Sequence, residues 1–237
     1  MSLSNVEIIK INGNTWRIED DFVRFFLLEG QQTALMIDTG VDCPDALEIG
    51  KSLTDKPISL INTHGDGDHT SGNGAFEKYY ITREDYKNCG MAEKYPNSRP
   101  MFVEDKDIIN LGSRPLKIYT IPGHTQGSIA ILDINGRFIF TGDTISTAII
   151  YMFGDHRSIP NYIASLDRLN YLCGDYDTIY PSHGAPSLGN DCAYKVKMEF
   201  MRALAGELPT VDEELFGTPI TTHQGEFCGF YLPRKNK

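Results

Sequence analysis

The sequence predicts a layered α/β protein, one domain over residues 1–237, and three observations carry that expectation. Short runs rich in β-branched and aromatic residues recur along the chain, strand-like runs precede helix-like periodicity in both halves, and no linker or low-complexity segment divides them. At 237 residues, 41% of them hydrophobic, the chain has material for one large core.

Taken in order, residues 6–11, 15–18, 23–28 and 33–37 are short and apolar, broken by Asn-Gly, acidic and Glu-Gly punctuation, and predict an antiparallel meander. Residues 44–53 carry Ala46, Leu47, Ile49, Gly50 and Leu53 at helical spacing, followed by a buried strand at 57–62. Residues 79–81 predict another strand. Thr82 with Asp85 three positions on then resembles a capping box opening a helix to about residue 93. The runs 128–134 and 137–141 flank Asn135-Gly136, a strong hairpin signal. Ser158 and Pro160 open a helix that buries Ile163, Leu166, Leu169 and Leu172 and stops at Gly174. A strand at 178–180 and a helix at 193–205 follow, and from Glu207 onward the chain reads as irregular structure ending in a short strand at 227–232.

A formal net charge of −10 argues against a nucleic-acid partner, because such binding rests on Lys and Arg neutralising phosphates. Residues 1–14 hold no apolar run suited to a signal peptide, and no stretch approaches the ~18 apolar residues of a membrane span. A soluble cytoplasmic protein without a membrane partner is expected. Cys43, Cys89, Cys173, Cys192 and Cys228 are scattered and never in a CxxC pair, so they read as reduced, structural residues.

The segment Asn62-Thr63-His64-Gly65-Asp66-Gly67-Asp68-His69 packs four metal-competent side chains into six residues after a predicted strand. Glycines at 65 and 67 let the backbone enter φ > 0, which would turn His64, Asp66, Asp68 and His69 toward one volume. Pro122-Gly123-His124-Thr125, Thr141-Gly142-Asp143-Thr144, Pro181-Ser182-His183-Gly184 and the earlier Ile37-Asp38-Thr39-Gly40 each sit just past a predicted strand. A lone histidine is usually structural, but four of six histidines beside Gly or Asp at strand ends point to a metal site.

Together these segments resemble the metallo-β-lactamase superfamily, with its His-x-His-x-Asp-His run, Gly-His-Thr, Gly-Asp and late His-Gly. The resemblance covers about residues 15–190 and implies a four-layer αβ/βα sandwich with metal ions at one edge. It implies His64, Asp66 and His124 around one divalent ion, Asp68, His69 and His183 around a second, and Asp143 between them. Asp38 would stand behind the ligands, accepting a hydrogen bond from one of them.

Position 66 is Asp where the common family run has His. With three carboxylates and a hydroxide, two divalent ions would be fully neutralised, so weaker Lewis acids are expected. Zinc is the first expectation for the two ions, and the added carboxylate brings iron or manganese into play. The flavodiiron branch also has an acid here, which keeps a di-iron oxidoreductase open, as well as a non-catalytic metal-binding protein. A third alternative is that Asp66, shorter than His, fails to reach metal, leaving one firmly held ion at Asp68, His69 and His183.

The resemblance implies above all a metal-dependent hydrolase using a metal-bound water or hydroxide on a small ester, thioester, lactone or phosphoester, with Asp68 orienting that nucleophile. His156 and Arg157, in an aromatic and charged loop after Asp143, are candidate substrate contacts, the bland alternative being a surface loop. His223 is expected to be a solvated histidine or to enter the site from the last segment. Oligomeric state is not legible.

Overall fold

The computed structural model describes residues 4–234, so positions 1–3 and 235–237 of the expected domain lie outside the described residues. β1 (Glu7–Asn12), β2 (Thr15–Asp20), β3 (Val23–Glu29) and β4 (Ala34–Ile37) form the expected antiparallel meander. α1 (Ala46–Leu53) leads to β5 (Ile58–Ile61), which pairs parallel to β4. β6 (Lys78–Ile81), α2 (Arg83–Asn88), α3 (Met91–Lys94) and β7 (Arg99–Phe102) follow, completing a seven-stranded sheet ordered as in the sequence.

Next come β8 (Ile108–Asn110), β9 (Pro115–Thr120), β10 (Ile129–Asp133), β11 (Phe138–Gly142), β12 (Ile149–Tyr151), α4 (Ile159–Tyr171), β13 (Thr178–Pro181), β14 (Leu188–Gly189) and α5 (Cys192–Ala205). The second sheet is ordered β14-β13-β11-β10-β9-β8. β12 leaves it for a third sheet with β15 (Thr210–Leu215), β16 (Thr218–Gln224) and β17 (Gly229–Pro233), ordered β12-β17-β16-β15.

Side-chain alternation in the strands creates the layers. In β3, Phe25 and Leu27 share a core with Trp16, Leu60 and Ile49 of α1, whereas Phe26 and Leu28 share one with Leu116, Ile118, Ile131 and Phe140 of the second sheet. In β10, Ile129 and Ile131 belong to that inner core, while Ala130 and Leu132 pack with Leu166 of α4 and Val196 and Phe200 of α5. Helices, sheet, sheet and helices therefore stack as the αβ/βα sandwich. No helix among the described residues is long and apolar enough to cross a membrane.

Some local expectations fail for physical reasons. The Asn135-Gly136 hairpin is wider than two residues: pairing ends at Asp133 and Phe138, and the Asp133 carboxylate accepts from Gly136 N at 3.0 Å. Thr82 makes no side-chain cap to α2, which ends at Asn88 rather than near residue 93; its hydroxyl donates to Gly127 O at 2.9 Å. The C-terminal region is not irregular, because β15 and β16 pair along six register positions. Ser158 does cap α4 as read, accepting from Asn161 N at 3.4 Å, although that helix ends at Tyr171.

Candidate metal centre

Every predicted ligand stands just beyond a strand end. β5 runs into the loop carrying His64, Asp66, Asp68 and His69; His124 follows β9, Asp143 follows β11 and His183 follows β13. The expected left-handed glycines do not build the first of these loops, for neither Gly65 nor Gly67 has positive φ. Gly65 is required for space instead, since a Cβ there would lie 2.6 Å from Cys89 Cβ. Gly142 does adopt φ +54°, and a Cβ on it would meet Thr63 Oγ1 at 2.7 Å, so the chain can deliver Asp143 only through a glycine.

The seven donors form two groups, Asp68, His69, Asp143 and His183 in one and His64, Asp66 and His124 in the other, each with ligand atoms within 4.8 Å of one another. Asp143 spans them. Its Oδ1 lies 3.2 Å from both His69 Nε2 and His183 Nε2, and its Oδ2 lies 3.5 Å from His124 Nε2 and 3.9 Å from His64 Nε2. Asp66 is long enough to join, with Oδ2 3.3 Å from His124 Nε2 and 3.6 Å from His64 Nε2. Asp68 Oδ2 lies 3.4 Å from His183 Nε2 and 3.6 Å from His69 Nε2.

All four imidazoles are oriented through Nδ1. His69 donates to Asp38 Oδ2 at 3.1 Å, His124 to Tyr151 O at 3.0 Å and His183 to Phe22 O at 2.9 Å. His64 Nδ1 sits 3.0 Å from Thr63 Oγ1, whose own hydrogen goes to Asp38 Oδ2 at 2.7 Å, so the hydroxyl accepts from His64. With Nδ1 so engaged, each imidazole in its neutral form turns Nε2 as an acceptor toward the cluster, the tautomer that metal-binding histidines need. Asp38, in the left-handed region at φ 64°, takes the backbone strain that lets one carboxylate serve Thr63 and His69 together.

Within the cluster, the Nε2 atoms of His64, His69 and His124 and Oδ1 of Asp143 are buried with no hydrogen-bond partner. Buried polar atoms are rarely left so, and four converging on one volume fit a cation. Electrostatics agree. Burial opposes their ionisation, yet the adjoining histidines hold the Asp66 and Asp143 carboxyls well below the usual range. Burial also disfavours the His183 cation, but Asp143 and Asp68 raise its pKa to about 10, so carboxylates here recruit positive charge.

The structure adds supporting roles that the sequence did not show. Asp85, fully buried on α2, accepts from Gly65 N at 3.0 Å, Gly127 N at 2.7 Å and Thr125 Oγ1 at 2.7 Å, tying the His64 loop to the His124 loop. Arg24 ties β3 to the His183 loop through Gly184 O at 2.7 Å and Ala185 O at 3.0 Å. A cavity of about 760 Å³ opens over the cluster, walled by Phe22, Tyr151, Phe153, Phe216 and Tyr231. Of the two candidate contacts, Arg157 lines this cavity, whereas His156 is exposed and does not. His223 is buried on β16, not solvated as read, and belongs to neither donor group.

A family model described as the metallo-beta-lactamase superfamily matches residues 18–183. Acyl-coenzyme A thioesterase MBLAC2 of Gallus gallus is 24% identical, over 67% of this chain and 71% of its own length. A hydroxyacylglutathione hydrolase of Pelagibacter ubique is 33% identical, over 54% of this chain and 52% of its own, so the match spans about half of that relative. Among solved structures, a metallo-beta-lactamase from Pontibacter korlensis superposes with a TM-score of 0.69 at 16% identity, covering 82% of this chain and 98% of that one, a likeness of fold. With the family match covering residues 18–183 and all seven clustered donors inside it, His183 as its last residue, the chain belongs to the metallo-beta-lactamase superfamily.

Proposed function

We propose that this metallo-hydrolase cleaves the thioester bond of a small acyl substrate, as a single cytoplasmic domain. The observation that supports the reading most directly is the position of Asp143 beneath an apolar cavity, one carboxylate oxygen facing His69 and His183 and the other facing His124 and His64. His64, Asp66 and His124 would hold one ion and Asp68, His69 and His183 the other, with zinc as the resident metal and iron or manganese as alternatives that the third carboxylate favours. Bound there, two divalent ions would supply the Lewis acidity that makes a water nucleophilic at neutral pH and polarises a carbonyl.

The chain's own residues do the rest. Asp68 lines the cavity with its side chain 26% exposed, so in this reading it orients the attacking water and accepts its proton. The aromatic walls take the acyl group and exclude water from the reacting carbonyl. A thiolate leaving group, with an ordinary pKa of about 8.5, departs without a proton from the enzyme. An amine would need one. The relatives named as a thioesterase and a hydroxyacylglutathione hydrolase support this choice among acyl compounds, and the free cysteines accord with a reducing compartment.

The test is to purify the protein without chelators, quantify metals, and follow thiol release from a panel of acyl thioesters. Two ions per chain and chelator-sensitive release, reduced by about 100-fold or more in Asp68→Asn, are expected. Two iron ions with no thioester turned over would move the di-iron oxidoreductase reading ahead; release that survives full metal removal would sink the hydrolytic mechanism.

A further inference from the structure

Asp66 does not face the cluster alone. Arg157, in the loop between β12 and α4, places Nη2 2.6 Å from Asp66 Oδ2. That is the same oxygen that approaches His124 Nε2 and His64 Nε2. With side chains only 15% and 27% exposed, the two partners are shielded well beyond an ordinary surface ion pair. The neutralised cluster expected from three carboxylates therefore omitted one charge, because a guanidinium sits beside the third.

We infer that Asp66 and Arg157 act as one ligand unit of zero net charge, and that position 66 serves a metal ion only while the two match. A carboxylate paired with a guanidinium carries the same net charge as a neutral imidazole, so the pair stands in electrostatically for the histidine common at this position. The guanidinium also fixes which carboxylate oxygen points at His64 and His124. Changing Asp66 to His would restore the common residue and yet harm the site. It would leave Arg157 without its partner, largely buried, and facing a divalent cation across a few ångströms. Removing Arg157 in that background removes the repulsion.

The inference rests on reading the cluster as a two-ion site, and the experiment separates the two. Metal-free wild type, Asp66→His, Arg157→Gln and the double variant are titrated with zinc against a chromophoric chelator, reading stoichiometry and dissociation constants. Wild type is expected to take two ions. In Asp66→His the weaker ion should bind about tenfold or more less tightly, and the double variant should return to within about threefold of wild type, the non-additivity expected of residues in contact. The isosteric Asp66→Asn, alone and with Arg157→Gln, repeats the comparison if histidine prevents folding, which circular dichroism of the metal-free chains reports. Binding in Asp66→His as tight as wild type, or a double variant no better than Asp66→His, overturns the inference while leaving the two-ion site intact. No zinc bound by wild type overturns both.

Discussion

At the scale of single residues, the site depends on a carboxylate that belongs to neither donor group. Asp85 is fully buried and accepts from two backbone amides and one hydroxyl, from segments 20 to 42 positions away. Gly127 is part of the same arrangement, for a Cβ there would lie 2.0 Å from Thr82 Oγ1 and 2.6 Å from the Asp85 carboxylate. Removing Asp85 strands two buried amide donors, each costing about 1–3 kcal/mol, while the Thr125 hydroxyl can turn to Ser128 Oγ at 2.7 Å. Asp85→Ala should therefore lose about 3 kcal/mol or more, which for a chain of this size lowers Tm by about 6–12 °C. It should also weaken zinc binding, because the His64 and His124 loops are no longer held together. Calorimetric melting with a zinc titration checks both, and a Tm within about 2 °C of wild type would show that Asp85 does not clamp the loops.

Legibility at this scale follows residue type. His64, Asp66, Asp68, His69, His124, Asp143 and His183 announce themselves because His and Asp beside Gly at strand ends have few other uses. Asp85 was read as a capping residue, since the Thr82-x-x-Asp85 spacing is identical whether the carboxylate turns back to Thr82 N or across to Gly127. The pairing of Arg157 with Asp66 spans 91 positions and exists only once the topology brings the loops together.

At the scale of elements, the β15–β16 hairpin breaks two local rules at its tip. Phe216 and Gly217 have φ of 52° and 74°, the two positive values of a primed turn that Asn-Gly suits and a bulky residue does not. Phe216 is also 83% exposed, yet it lines the cavity over the candidate metal centre. A strained, exposed aromatic lining that cavity is a departure expected where function outweighs local stability. Phe216→Asn should leave Tm unchanged or raised, by up to about 1 kcal/mol of relieved strain. Over the same change, KM for medium-chain or aromatic acyl thioesters should rise about tenfold, with acetyl thioesters little affected, since apolar contact scales with the area it covers. An equal effect on acetyl and long acyl substrates would place Phe216 outside acyl recognition. This hairpin was illegible for a related reason. β15 reads Thr-Val-Asp-Glu-Glu-Leu and is exposed along nearly its whole length, so it lacks the apolar alternation of the sandwich strands and owes its form to pairing with β16.

At the scale of the whole molecule, a net charge of −10 makes the buried carboxylate cluster the chain's most acute electrostatic problem when no cation fills it. The sandwich brings Asp66, Asp68 and Asp143 together, and histidines answer them by binding protons. The carboxyls have folded values below the usual 3.8, so their contribution to stability is present above that value and is lost as pH falls through the folded values. His183 has the opposite sign. Its pKa rises from 6.5 to about 10, so its contribution is complete below pH 6.5 and is lost as pH climbs toward 10, and His69 is shifted the same way. Metal-free protein should therefore be most stable between about pH 4 and 6.5 and should lose on the order of a few kcal/mol from pH 6.5 upward. Below pH 9, the ordinary value of the cysteine thiols, those histidines dominate the slope. Cations in the cluster replace the protons with charge that does not titrate, so the loaded protein should hold its Tm across pH 6.5–9, and loading at pH 7 should release protons, measurable by calorimetry in two buffers of different ionisation enthalpy. A metal-free Tm that stays level or rises over pH 6.5–9 would mean that the histidines do not carry the cluster's compensating charge, and the cation site would then have to be explained by the orphaned Nε2 atoms alone.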